Sequence, residues 1–177
     1  MDWQVSLRRT TVSKSALLED GDDQGFRTMV HDMLALTARL DEIRGRLGSH
    51  IGLTGSQYTI LISVNYLGGQ EGVGVSAIAE HLSLSGAFVT IETQKLIKLG
   101  LLEKAQNPHD KRRVLLTVAE RGASLLEELR LVQVDVNDTL FQSMERDDFR
   151  ALSRIANYLK SDADKAILLL DYLTETK

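Results

Sequence analysis

Between Ser85 and Lys98, side chains that can hydrogen-bond or touch a methyl group recur at three- and four-residue steps. Thr90, Gln94 and Lys98 are spaced by four, and Gly86, Ala87 and Ile91 join them on one side when the segment winds as a helix. This set of groups suits the edge of a DNA duplex. A threonine hydroxyl donates or accepts, a glutamine amide pairs bidentately with adenine, and Ala87 and Ile91 can touch thymine methyl groups. Lys95 and Lys98 suit phosphates, which position a protein on DNA without reading its sequence. Ser85 is well placed to cap the helix.

The residues before and after this face indicate what must hold it. Ser76 is read as the cap of a preceding short helix whose apolar positions are Ile78, Ala79 and Leu82, with Leu84 as an apolar plug in the turn. Val89, Thr93 and Leu96 form the inner side of the second helix, so the pair has the form of a helix-turn-helix. The following LLEKAQ and RRVLLTV are expected to be strands flanking the polar turn NPHDK. From Lys98 to Arg113 there are five Lys/Arg against two acidic residues, although the whole chain carries a net charge of −4. A basic two-stranded loop behind a recognition helix is a wing, able to contact DNA through His109, Lys111, Arg112 and Arg113. Asp110 is expected to pair with Arg112 and leave Lys111 and Arg113 freer.

Longer elements flank this module. Residues 1–24 read as a flexible arm, basic at Arg8, Arg9 and Lys14 and acidic at Glu19–Asp23. Phe26, Met29, Met33, Leu36, Leu40, Ile43 and Leu47 then step by three and four, which predicts a helix of about 22 residues with a heptad seam ending near Gly48. Thr54 with Gln57 three residues later signals a capping box, opening an apolar helix stopped by Gly68-Gly69. After Gly122 two more amphipathic helices follow. The first is striped by Leu125, Leu129, Val132, Val136, Leu140 and Met144. The second is striped by Phe149, Leu152, Ala156, Leu159, Ala163, Ala166, Leu170 and Leu173, with a turn at Glu145–Asp148 between them.

One small module cannot cover these seams, so either they pack in an intramolecular bundle or a second copy of the chain covers them. The second is favoured, since segments flanking a module can interlock with a copy. The expected organisation is an arm at 1–24, an N-terminal dimerisation helix at 25–53, a DNA-binding module at 54–119 and C-terminal dimerisation helices at 120–177. The fold class is mainly α with a small β-hairpin wing.

NPHDKRRVLLTVAERG resembles the wing signature of the MarR family of bacterial transcriptional regulators, Asp-x-Arg-Asp-x-Arg followed by a strand, Leu-Thr and Gly. Asp110, Arg112 and Gly122 match it. Leu96, Gly100 and Leu101 are similar to the pattern ending that family's recognition helix. The likeness covers roughly residues 26–173. It departs at Asn107, where the family has its first Asp, and at His109, where it has the wing-tip Arg. It departs also at Ile91, where a basic residue is common, and at Glu92, where the family has an apolar core residue.

The resemblance implies a triangular homodimer that binds a near-palindromic operator, usually as a repressor. It also implies release by a small molecule, an aromatic carboxylate or an acyl-thioester, bound between the dimer helices and the module. Arg46 is the candidate for a carboxylate and Tyr58 and Tyr66 for an aromatic ring, with His50 beside them and His31 and Arg39 further along the first helix. The basic arm is a candidate phosphate contact for a thioester.

Other classes are disfavoured. The chain has no cysteine, hence no disulfide or thiolate metal site, and His31, His50, His81 and His109 are scattered. No glycine-rich phosphate loop or nucleophile elbow is present, so neither an enzyme nor a cofactor is expected. Without an apolar run of membrane length or a signal peptide, a cytoplasmic protein is expected. The alternative function is a winged-helix protein-interaction module that does not bind DNA.

Overall fold

The computed structural model describes residues 10–107 and 114–175. In order, these form α1 (Gln24–His50), α2 (Gly55–Gly68), β1 (Val73–Gly74), α3 (Val75–Leu82), α4 (Gly86–Lys98), β2 (Leu102–Gln106), β3 (Val114–Val118), α5 (Glu120–Leu140) and α6 (Arg146–Glu175). The chain divides into two compact units, residues 1–130 and 131–177.

The first unit holds the core. Ile60, Leu61 and Val64 of α2 are buried with Ile78 and Ala79 of α3, Val89 and Leu96 of α4, Leu102, Leu116, and Leu129 of α5. Helix α2 is central because its apolar residues surround its axis, and such a helix must be covered on most sides; Ser56, Asn65 and Tyr66 are its exposed residues. Its start is fixed as the sequence indicates: the Gln57 amide donates to Thr54 Oγ1 at 3.2 Å and the Thr54 amide donates to Gln57 Oε1 at 3.1 Å. On α1 the seam becomes more covered toward its C-terminus. Met29, Met33 and Leu36 are exposed, Leu40 and Ile43 half-buried, and Leu47 buried.

Two expectations change. Ser76 does not cap α3, which begins two residues earlier than expected with Gly74 at its N-cap. The sheet has three strands rather than two, in the antiparallel order β1-β3-β2, with Val73 opposite Leu116 and Lys104 opposite Leu116 from the other side. Strand β1 is only two residues long, and its pairing depends on backbone groups that the sequence pattern does not reveal.

The segment preceding α1 is tethered. The Thr11 amide donates to Asp23 Oδ2 at 2.6 Å, the Thr11 hydroxyl donates to the same oxygen at 2.9 Å, and Arg27 Nε donates to Oδ1 at 2.9 Å. Asp23 is 5% exposed. The Thr11 amide is the main cause that lowers its pKa from 3.8 to about 2, with Arg27 adding to the effect. Because the folded pKa lies below the unfolded one, this tether is fully present above pH 3.8 and is lost as pH falls through about 2. Carboxyl NMR of Asp23 should therefore titrate near pH 2, and a midpoint near 3.8 would mean that the tether does not form in solution.

In the second unit, α6 runs 30 residues without burying one. Its stripe residues Phe149, Leu152, Leu159, Leu170 and Leu173 are all exposed, as are Ile155, Ile167, Leu168 and Leu169. No helix among the described residues is long and apolar enough to cross a membrane.

Candidate nucleic-acid interface

Helices α3 and α4 meet through a turn whose geometry follows from its residues. Ser83 ends α3 in the left-handed conformation (φ 53°), and the Leu84 amide donates to the Ala79 carbonyl at 2.9 Å. Ser85 then caps α4, its Oγ accepting from the Phe88 amide at 3.2 Å. On the inner side of α4, Val89, Thr93 and Leu96 are buried, and the Thr93 hydroxyl donates to the Val89 carbonyl at 2.8 Å. On the outer side Ser85, Gly86, Ala87, Thr90, Ile91, Gln94, Lys95 and Lys98 are all exposed.

The outer face is chemically distinct from one end to the other. Its N-terminal half carries no charge, and Ile91 is 54% exposed there. Thr90 donates its hydroxyl hydrogen to the Gly86 carbonyl at 2.7 Å, which leaves its oxygen as an acceptor toward a partner. Phe88, absent from the sequence reading, is also exposed on this helix. Its position one step off the apolar seam was the available signal.

Lys95 is paired within the helix. Its Nζ lies 2.7 Å from Glu92 Oε1, and Glu92 is only 7% exposed. The chain has therefore kept an acidic residue at an inner position of α4 by supplying a cation three residues on, a pairing that suits adjacent turns. Of the two lysines on the outer face, Lys95 is occupied within the helix. Lys95→Ala should strand the Glu92 carboxylate and cost about 1–2 kcal/mol, less than a fully buried pair because the lysine is half exposed. The double variant with Glu92→Leu should recover that loss in urea unfolding. An unchanged midpoint for Lys95→Ala would show that the lysine does not compensate Glu92.

Past α4, the hairpin β2–β3 places Leu102 and Leu116 in the core and exposes Lys104 and Val114. His109, Asp110, Lys111, Arg112 and Arg113, the tip of the expected wing, lie outside the described residues.

The expected effector residues fall in separate surroundings. Tyr58 is 1% exposed, in the core of the first unit, where burial raises its hydroxyl pKa. Tyr66 is 78% exposed, its ring centroid 6.0 Å from that of His81. Arg46 is exposed and paired with Glu42. His31, Arg39 and His50 are exposed on α1, and Arg39 Nη1 donates to the Ala35 carbonyl at 2.9 Å.

Two cavities of the first unit are lined by none of the six. One, of about 420 Å³, is bounded by Asp41, Arg44, Ser56, Thr59, Leu82 and Leu84. The other, of about 480 Å³, is bounded by Leu53, Leu99, Leu101, Arg121, Ser124 and Glu128 among others. Arg44 and Arg121 lie within helices at positions that read as ordinary surface charge, so no local pattern marked them.

The α3–α4 helix pair, its second helix capped by Ser85, with a three-stranded sheet whose β2 and β3 form a hairpin, defines the first unit as a winged helix-turn-helix. Residues 51–113 match the model described as MarR family, the family whose wing and recognition-helix pattern the sequence resembles. The chain is 26% identical over 112 residues to the HTH-type transcriptional regulator YhbI of Bacillus subtilis, covering 63% of this chain and 71% of that one. Among solved structures it is similar to a MarR/EmrR-family transcriptional regulator from Acinetobacter (TM-score 0.66, 19% identity, 78% of this chain and 96% of that one). It is also similar to a mutant MarR from E. coli complexed with operator DNA (TM-score 0.61, 21% identity, 75% and 93%).

Proposed function

We propose that the chain is a sequence-specific DNA-binding transcriptional regulator that acts as a homodimer on a near-palindromic operator. The observation that carries this reading is the outer face of α4: capped at Ser85, seated on the core by Val89, Thr93 and Leu96, and offering Ala87, Thr90, Ile91 and Gln94 unobstructed. The fold it shares with the operator-bound E. coli protein supports the same reading.

Gln94 pairs with adenine while Ala87 and Ile91 meet thymine methyl groups, so the half-site is A·T-containing where α4 enters the major groove. Lys98, the wing residues Lys111, Arg112 and Arg113, and the N-terminus of α4 hold phosphates. At position 109 a histidine replaces the arginine that the resemblance implies, and it would be a weaker minor-groove anchor. The arm, dimer helices and module divide the chain at residues 24, 53 and 119.

The test is a binding series on duplex DNA from the protein's own locus at rising salt. Specific binding should weaken steeply, by about 10³-fold or more between 50 and 200 mM for six or more phosphate contacts. Lys98→Ala should lower the salt slope without altering base preference, whereas Gln94→Ala should change the preferred sequence. A Gln94→Ala protein that selects the same sites would remove that residue from readout. If no duplex is bound at low salt, the reading fails in favour of a protein-interaction module, for which exposed Phe88 and Ile91 would be the contact surface.

Regulation by a small acid, releasing DNA in the manner of a repressor, completes the proposal. Each of the two cavities is lined by one arginine, Arg44 paired with Asp41 in the first and Arg121 bonded to the Leu99 carbonyl in the second. The fitting ligand is an aromatic carboxylate or its acyl-thioester that takes the guanidinium from its internal partner. Thermal-shift measurements with aromatic acids and their thioesters, repeated on Arg44→Ala, check this part separately.

A further inference from the structure

The recognition helix has a second anchor, at the end farthest from its cap. Helix α4 stops through Gly100, whose φ of +70° lets the Leu101 amide reach the Leu96 carbonyl at 2.9 Å and the Gly100 amide reach Ile97 at 2.9 Å. The Leu99 carbonyl, past the last helical residue, accepts instead from Arg121 Nη1 at 2.7 Å, a bond spanning 22 residues of chain. Arg121 belongs to the first turn of α5, and its Cδ and Nη1 pass 3.9 Å from where a side chain at Gly100 would begin. Its neighbour Gly122 lies directly against the Leu101 carbonyl, which also accepts from the Ala119 amide at 3.0 Å. A fixed cation thus sits at the negative end of the α4 dipole and ties that end to α5.

We infer that Arg121 is a positioning residue for sequence recognition: by holding the Leu99 carbonyl it sets the tilt at which α4 presents Thr90, Ile91 and Gln94. The inference rests on the DNA-binding reading above. Its physical basis is leverage. Helix α4 has 13 residues, about 20 Å, so a turn of about 5° about its C-terminal end moves its N-terminal end by about 2 Å. Base-edge hydrogen bonds do not survive such a displacement. Contacts to phosphate by long, flexible lysines do, because the duplex offers charge continuously along its backbone. Loss of Arg121 should therefore act on specific binding and spare nonspecific binding, unlike loss of a phosphate contact, which weakens both.

The experiment compares wild type, Arg121→Ala and Arg121→Lys on the selected operator and on an unrelated duplex at the same salt, with hydrogen exchange of the free proteins. Arg121→Ala should bind the operator roughly tenfold more weakly, the loss expected for a misplaced base contact, while holding the unrelated duplex as wild type does. Arg121→Lys, able to donate to the same carbonyl, should recover most of the operator affinity. Exchange of the Leu99, Gly100 and Leu101 amides should speed up in Arg121→Ala alone. Equal losses on both duplexes, or no rescue by lysine, would overturn the inference. Should wild type bind no duplex, the DNA-binding reading fails by itself, and unchanged exchange at those three amides would independently overturn the anchoring role.

Discussion

Gly122→Ala is expected to destabilise the first unit by about 3 kcal/mol or more, whereas a glycine-to-alanine change within a helix is normally favourable. A methyl group there would stand 2.2 Å from the Leu101 carbonyl oxygen and 3.0 Å from a Val118 methyl. The first obstacle is backbone and cannot rotate away. The same oxygen accepts from Ala119, so moving it breaks the contact that starts α5 after β3. Against a total stability of about 5–15 kcal/mol, this removes a large fraction, and the midpoint should fall by about 6 °C or more on heating.

Gly45→Ala supplies the opposite case. Gly45 lies within α1 with nothing within 4 Å of the added carbon, so alanine there should stabilise by about 0.5–1 kcal/mol. Urea unfolding of the two variants checks the pair. If Gly122→Ala unfolds with Gly45→Ala, α5 does not approach the Leu101 carbonyl closely enough to exclude a methyl group.

The pattern of what the sequence reveals follows from the range of the interactions involved. The seam of α1, the Thr54–Gln57 box, the Ser85 cap and the buried triad Val89, Thr93 and Leu96 are all set within a few residues, and each is readable from spacing. The features that spacing does not reveal are made across longer stretches. Thr11 reaches Asp23 over 12 residues, Arg121 reaches Leu99 over 22, and β1 exists only because β3 arrives beside it. Composition marked the segment before α1 as an arm, although residues 11–23 carry this defined carboxylate-centred tether.

Tyr58 illustrates a different limit. A tyrosine near a helix start reads equally well as a ligand platform or a core residue, since its ring is apolar and its hydroxyl is not. Its surroundings decide for the core. Glu92 is the converse: an acidic residue that breaks an apolar pattern is explained only when Lys95 is seen beside it.

The α4 face and the α6 stripe are linked through the symmetry of DNA. One α4 spans only a few base pairs, and a single half-site gives modest affinity; two copies related by a twofold axis double the contacts and demand a near-palindrome. Under the proposed reading, pairing of copies through the exposed apolar helices would be the element on which operator affinity depends most.

Leu159→Glu tests that pairing with the largest expected effect. Leu159 lies at the middle of the stripe running from Phe149 to Leu173, and it is exposed. In a twofold dimer the substitution occurs twice. Losing about 2 kcal/mol of apolar burial per copy, before any cost of placing a carboxylate in the interface, weakens association by about 10³-fold. Light scattering at micromolar concentration should then give a dimer mass for wild type and a monomer mass for the variant. Arg154→Glu, on the opposite side of the same helix, should keep the dimer.

Operator binding should fall with the mass in Leu159→Glu and remain in Arg154→Glu, since the α4 surface is untouched in both. Circular dichroism guards against the trivial explanation, because α6 contributes 30 helical residues whose loss would be visible. A wild-type protein that is monomeric at these concentrations would overturn the dimer reading, and a Leu159→Glu protein that remains dimeric would locate the self-association elsewhere. The exposed α1 seam of Met29, Met33 and Leu36 would then be the next surface to substitute.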